Sequence, residues 1–189
     1  QLNYFYKSNI EPKYILEYSK FLYNELPIRF SKKIIQLYHF PFGLPITSSM
    51  VNVINLYKDS LNTVTKYKLP KTVEDSIELS KTMETLKNNH RNLELDIYNS
   101  INYIENRSFI DYDTLNKYLE SFFISRIGLR AMMGNYINLC KYNTGLVTDC
   151  SIKHIIENAI EDIENATRMI YDEDINITII EHSQDIIFQ

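Results

Sequence analysis

METLKNNHRNLELDI, residues 83–97, is the stretch on which the reading of the whole chain turns. Counted with helical spacing, Met83, Leu86, Leu93 and Ile97 form one apolar stripe, and the position completing the three-and-four rhythm between Leu86 and Leu93 is His90. Followed outward, the stripe takes in Val73 and Ile77 on one side and Ile101 and Ile104 on the other. This predicts one long helix over about 72–104, opened by Thr72 and by Glu74 to Asp75.

The flanking segments repeat the pattern. Before it, Met50, Val53, Ile54, Tyr57, Leu61 and Val64 share a face of a helix that starts near Ser48, with Thr47, Ser48 or Ser49 as its cap, and stops before Leu69-Pro70. Earlier still, Tyr18, Phe21, Leu22, Leu26, Phe30, Ile34 and Leu37 keep helical spacing over 14–38, where Pro27 removes one backbone bond and predicts a kink. HFPFGLPITSS separates these two helices. On the other side, Leu115, Leu119, Phe122, Arg126, Leu129, Met133 and Ile137 mark a helix from about Tyr112 to Cys140. Four long amphipathic helices with short breaks predict an up-and-down four-helix bundle over residues 1–142.

Gly145 then ends the helical stretch. LVTDC reads as a short strand, 151–172 as a helix, INITII as a strand by alternation, and DIIF as another after a polar turn. Residues 143–189 are therefore expected to be the start of an α/β domain, severed at Gln189 because so few strands do not make a usual sheet. The fold class is thus mainly α, a bundle followed by a truncated α/β unit.

Composition narrows the function. The 189 residues suffice for a real core. With 20 basic against 24 acidic side chains and no like-charge block, nothing points to a nucleic acid or to a membrane surface. Cys140 and Cys150 are too few for a disulfide framework and read as small buried hydrophobes. No apolar run approaches the roughly 18 residues of a spanning helix. With Gln1 at its start, the chain is expected to be soluble and already trimmed. The Asn-X-Ser/Thr triplets at Asn106, Asn165 and Asn176 are chance products of an Asn-rich sequence. Metal-ligand spacing, a phosphate-cradling Gly-rich loop and a nucleophile elbow are all missing from the sequence.

Chemistry concentrates on the stripes: His90 on the third predicted helix, Arg126 and Arg130 one turn apart on the fourth, and Tyr57 with Ser60 on the second. In an antiparallel bundle these meet at one level, giving a small cavity with a guanidinium, an imidazole and hydroxyls, suited to a small carboxylate. The plainer reading stands beside it. A lone histidine on a stripe is more often a satisfied core residue, and each arginine could pair with a neighbouring Glu or lay its stem on the core.

FLYNELPIRFSKKI, LKNNHRN and FFISRIGLRAMM, in this order and followed by TDCSIKHIIENA, resemble the mitochondrial kinases of 2-oxoacid dehydrogenase complexes. That family comprises the pyruvate dehydrogenase kinases and the branched-chain 2-oxoacid dehydrogenase kinase; HFPFGLP, Arg91 and the Gly of SRIGLR lie slightly nearer the branched-chain member. The resemblance implies a Ser/Thr protein kinase of the mitochondrial matrix that phosphorylates the E1 alpha subunit of its complex with MgATP and so inactivates it. It implies a regulatory bundle followed by a nucleotide-binding domain shared with histidine kinases and the Hsp90 chaperone, and a homodimer. The ATP and Mg2+ motifs are expected after residue 189, so residues 1–189 alone should bind neither cofactor and transfer no phosphate.

By the same resemblance, His90 supports a general-base glutamate on the missing segment. Phe30, Tyr57, Ser60, Leu86, Lys87, His90, Ser125, Arg126, Leu129, Arg130 and Met133 match the pocket for inhibitory 2-oxoacids and their halogenated analogues, with Arg126 as carboxylate anchor. Lys87 stands where the pyruvate kinases carry arginine, and Arg91 where they carry asparagine. The family docks on the lipoyl domain through apolar residues of its first helices, for which Tyr14, Leu16 and Phe21 are candidates beside the plainer reading of ordinary core, and the connection ahead of ELPIR is several residues shorter here. Two other classes remain open at this point: an adaptor that only docks on a lipoyl domain, and a phosphotransfer bundle that carries phosphate on His90 itself.

Overall fold

The computed structural model describes residues 11–104, 110–143, 150–171, 174–180 and 187–188. The chain divides into two compact units, Gln1–Leu146 and Val147–Gln189.

In the first unit α1 spans Pro12–Tyr38, α2 Ser48–Lys66, α3 Val73–Asn89, α4 Leu93–Asn102 and α5 Tyr112–Tyr142, with a 3-10 turn at Leu44–Ile46. The helix α1 runs through Pro27 as one element. It packs against α2, α3 and α5, while α3 also packs on α5 and α2 on α4. The core lies between them. Leu22, Phe30, Leu37, Met50, Met83, Phe122 and Tyr136 are fully shielded from solvent.

The turn into α2 rests on one hydroxyl. Thr47 Oγ1 accepts from the Met50 amide at 3.4 Å and donates to the Leu44 carbonyl at 2.8 Å, joining the 3-10 turn to the helix start. Thr47 is buried, so water cannot replace either partner. Thr47→Ala is expected to cost about 1–2 kcal/mol in urea unfolding; a loss below about 0.3 kcal/mol would show that the hydroxyl is dispensable.

The single helix expected over 72–104 is two helices. The chain leaves helical geometry at His90, with φ −86° and ψ 14°, and Asn92 begins α4 at φ −104° and ψ 21°. The Arg91 amide turns back to the Asn88 carbonyl at 3.0 Å, a bond one residue shorter than the helical repeat. The cause lies in the composition of NNHRN, where asparagine and histidine favour local turns over a helix interior. The inward face of α3 also differs from expectation: Ile77 is exposed at 40%, and Ser76 and Ser80 are buried in its place. Small side chains let α3 come close to its neighbours. Ser76 Oγ donates to Ser19 Oγ at 3.0 Å, and Tyr136 OH donates to the Ser76 carbonyl at 2.6 Å.

In the second unit α6 spans Ile152–Tyr171. Cys150–Ser151 (β1) pairs antiparallel with Ile187–Phe188 (β2), Cys150 opposite Phe188. INITII, expected as a strand, has no regular structure. Its alternation of isoleucine with polar residues describes a side-chain pattern and supplies no partner strand. Gly145, the first four residues of LVTDC and the start of DIIF lie outside the described residues. Among its described residues the unit is helical with one two-residue strand pair, short of the sheet expected.

Candidate functional site

Three helices bring the polar stripe residues to one level of the first unit. The α3–α4 break is the centre of the arrangement. His90 sits at the end of α3, buried at 4% exposure. Its ring meets Tyr57 of α2 edge-on at 4.5 Å between centroids and lies 6.1 Å from Phe30 of α1. Ser60, one turn beyond Tyr57, lies 2.7 Å from Nε2 and gives its own hydroxyl proton to the Leu56 carbonyl at 2.9 Å. With that proton spent, Nε2–H donates to Ser60 Oγ and Nδ1 is left as a bare acceptor.

Burial, with the charges of Arg126 and Arg130 beside it, holds the imidazole down to about 4, so it is neutral at physiological pH. Burial also raises the Tyr57 phenol well above its ordinary value. A buried, neutral and hydrogen-bonded histidine at a helix end counts against the phosphate-carrying reading, which needs an accessible ring.

The arginines of α5 close the site from the other side. Arg126 Nη2 donates to the His90 carbonyl at 2.8 Å, and Arg130 Nη1 to the Lys87 carbonyl at 3.0 Å. Both carbonyls belong to the last turn of α3, where the helix has no amides left to offer. The two cations thus cap its negative end. Arg126 Nη1 also pairs with Glu94 of α4 at 2.6 Å, while its Nε is buried with no hydrogen-bond partner among the described residues.

Among the expected pocket residues, Phe30, Tyr57, Ser60, His90 and Arg126 meet directly, and Arg130 reaches Lys87 through its carbonyl. Leu86, Leu129 and Met133 are buried in the core around them. Ser125 is placed otherwise: it is exposed and hydrogen-bonded to Lys33 of α1. Ser125 and Leu129 border a cleft of about 420 Å³ along α1 and α5, together with Arg29, Lys32 and Gln36. Tyr14, Leu16 and Phe21 lie elsewhere, near the start of α1. All three are partly buried, Tyr14 and Phe21 pack on the core, and Phe21 stacks on Tyr18 at 5.9 Å.

Two residues escaped the sequence reading. Lys33 is buried, its Nζ donating to the Phe122 carbonyl at 2.7 Å and to Gln36 Oε1 at 2.8 Å, and burial, then Arg126, brings its ammonium down to about 8. The spacing of Leu26, Phe30, Lys33 and Leu37 on α1 carried that signal. Glu94 went unnoticed because a continuous helix through 90–92 hides the first turn of α4. The described residues contain no group of His, Cys, Asp or Glu that could hold a metal ion. No helix among them is long and apolar enough to cross a membrane.

Comparison with known proteins gives this geometry a family. Residues 1–164 match the family described as mitochondrial branched-chain alpha-ketoacid dehydrogenase kinase. Over 151 residues the chain is 26% identical to the mitochondrial [pyruvate dehydrogenase (acetyl-transferring)] kinase of Arabidopsis thaliana, an alignment covering 76% of this chain and 41% of that kinase. The chain therefore spans less than half the length of this relative. With the match running from the first helix through the His90 break and both α5 arginines, the chain belongs to the mitochondrial branched-chain alpha-ketoacid dehydrogenase kinase family.

Proposed function

We propose that this chain is the regulatory part of a mitochondrial matrix protein kinase that phosphorylates the E1 alpha subunit of a 2-oxoacid dehydrogenase complex and so inactivates it. The observation carrying the reading is the meeting of His90, Ser60, Tyr57 and Arg126 at the end of α3, in a chain with this family match. MgATP supplies the phosphoryl group, bound by a nucleotide domain of which residues 143–189 are the beginning; the parent acts as a homodimer. Docking on the lipoyl domain is assigned to Tyr14, Leu16 and Phe21.

His90 has a positioning role. A carboxylate only accepts hydrogen bonds, so holding a general-base glutamate requires a proton on Nδ1. The neutral ring provides it by changing tautomer: Nδ1 takes the proton, and the Ser60 hydroxyl turns from the Leu56 carbonyl to donate to Nε2. Ser60 is the switch that permits either form. Arg126 anchors the carboxylate of an inhibitory 2-oxoacid, with Phe30, Tyr57, Leu86, Leu129 and Met133 as its apolar surroundings and Ser60, Lys87 and Arg130 as the polar rim.

The longer protein, supplied with MgATP, should phosphorylate the E1 alpha subunit, and residues 1–189 alone should not. In calorimetry the chain should bind dichloroacetate weakly, and Arg126→Ala should abolish binding, because a carboxylate in a dry niche without its cation is costly. Phosphotransfer by residues 1–189, or equal binding by both proteins, contradicts the proposal.

A further inference from the structure

The Arg126 anchor already holds a carboxylate, and the chain supplies it. Glu94 Oε1 lies 2.6 Å from Arg126 Nη1, and the two ends of the pair are unequal: the Arg126 side chain is 7% exposed and that of Glu94 51%. A carboxylate making the two-pronged contact that guanidinium favours needs two of its nitrogens on one edge. Nη2 donates to the His90 carbonyl and Nη1 to Glu94, while Nε is buried without a hydrogen-bond partner among the described residues. Nη1 and Nη2 each keep a second N–H, but the single positive charge of Arg126 is already matched by Glu94, so an incoming anion gains the full ion pair only by taking that carboxylate's place.

The occupants differ in how easily they leave. The His90 carbonyl is backbone, fixed where α3 ends. Glu94 is a half-exposed side chain that can turn into water. It stands in the first turn of α4, where the helix end favours a negative charge whether or not the ion pair is made. Exchange of one carboxylate for another leaves the charge of the niche unchanged, with Arg126 still neutralised and Arg130 still bonded to the Lys87 carbonyl.

From this we infer that Glu94 is a built-in competitor for the anchor: its carboxylate occupies Arg126 in the ligand-free protein, and a small monocarboxylate binds only by displacing it. The inference rests on the reading of Arg126 as a carboxylate anchor and adds a threshold set by α4. Ligand affinity is lowered by the strength of the internal pair, and release of Glu94 accompanies occupancy.

Calorimetric titration of the 189-residue chain with pyruvate and with dichloroacetate tests it, using the wild type, Glu94→Gln, Glu94→Ala and Arg126→Met. The two Glu94 variants should bind about 10-fold or more tighter than wild type, a difference of about 1.4 kcal/mol, and Arg126→Met should not bind. As a second readout, the Glu94 side-chain carboxyl resonance of the wild type should move toward the position of a hydrated glutamate as ligand is added. Binding by the wild type with equal affinity in both Glu94 variants and an unmoved Glu94 resonance overturns the competitor while the anchor stands. Absence of binding by wild type and both Glu94 variants overturns the anchor, and the competitor with it.

Discussion

Phe122→Ala should destabilise the first unit by roughly 3–5 kcal/mol, the largest effect expected of any single truncation here. The ring is fully buried at the meeting of three helices and the loop after α1. Phe40 lies edge-on at 5.9 Å, Tyr57 at 6.1 Å and Phe123 at 5.4 Å, and Lys33 Nζ stands 4.3 Å above its face. Removing it opens a void that these aromatics cannot fill without leaving their present contacts, and it takes the π face from a buried ammonium. A domain of ordinary stability has about 5–15 kcal/mol in total, so the variant should unfold at far lower urea concentration. Measured by circular dichroism, a loss under about 1.5 kcal/mol would mean that the aromatic cluster repacks.

Acidification should remove on the order of 3 kcal/mol of stability through His90 alone. In the folded chain the imidazole is held down to about 4, against an ordinary 6.5. Between these values the unfolded chain binds a proton that the folded chain refuses, so stability falls as pH falls through the window. The contribution is fully present above about pH 6.5 and is gone below about pH 4. Because many carboxylates titrate nearby, the informative quantity is the difference between wild type and His90→Gln, whose amide keeps a hydrogen-bonding group but takes up no proton. That difference should slope between pH 6.5 and 4 and be flat above; a flat difference throughout would mean that the ring is hydrated in the folded chain.

The rods of the bundle were legible because apolar spacing is a property of the chain itself. The stripes of α1, α2 and α5 are buried almost as written, with Phe21, Ile34, Leu61 and Leu119 partly so. The meeting of Tyr57, Ser60, His90 and Arg126 was also legible, since polar residues on apolar stripes of neighbouring rods must find each other. What spacing could not show was the break at residues 90–92. The stripe continues through Leu93 and Ile97, so only the weak helix preference of NNHRN marked the end of α3. Overlooking it hid Glu94. Lys33 was missed for a different reason: a lysine at an inward position reads as a long side chain escaping to solvent, and its true partners, the Phe122 carbonyl and Gln36, come from a distant helix and from its own. INITII was misjudged because alternation alone does not provide a strand to pair with.

The interruption at His90 has a mechanical consequence. In an uninterrupted rod, the Lys87 and His90 carbonyls would bond to the amides of residues 91 and 94, and neither would stand as an open helix end for an arginine to cap. Since the rod stops there, Arg126 grips the oxygen of the very residue whose ring rests on Tyr57 and Ser60. The gripped carbonyl and the imidazole hang from the same Cα, so the guanidinium is tied to the ring through the backbone of one residue, with no relay of side chains between them.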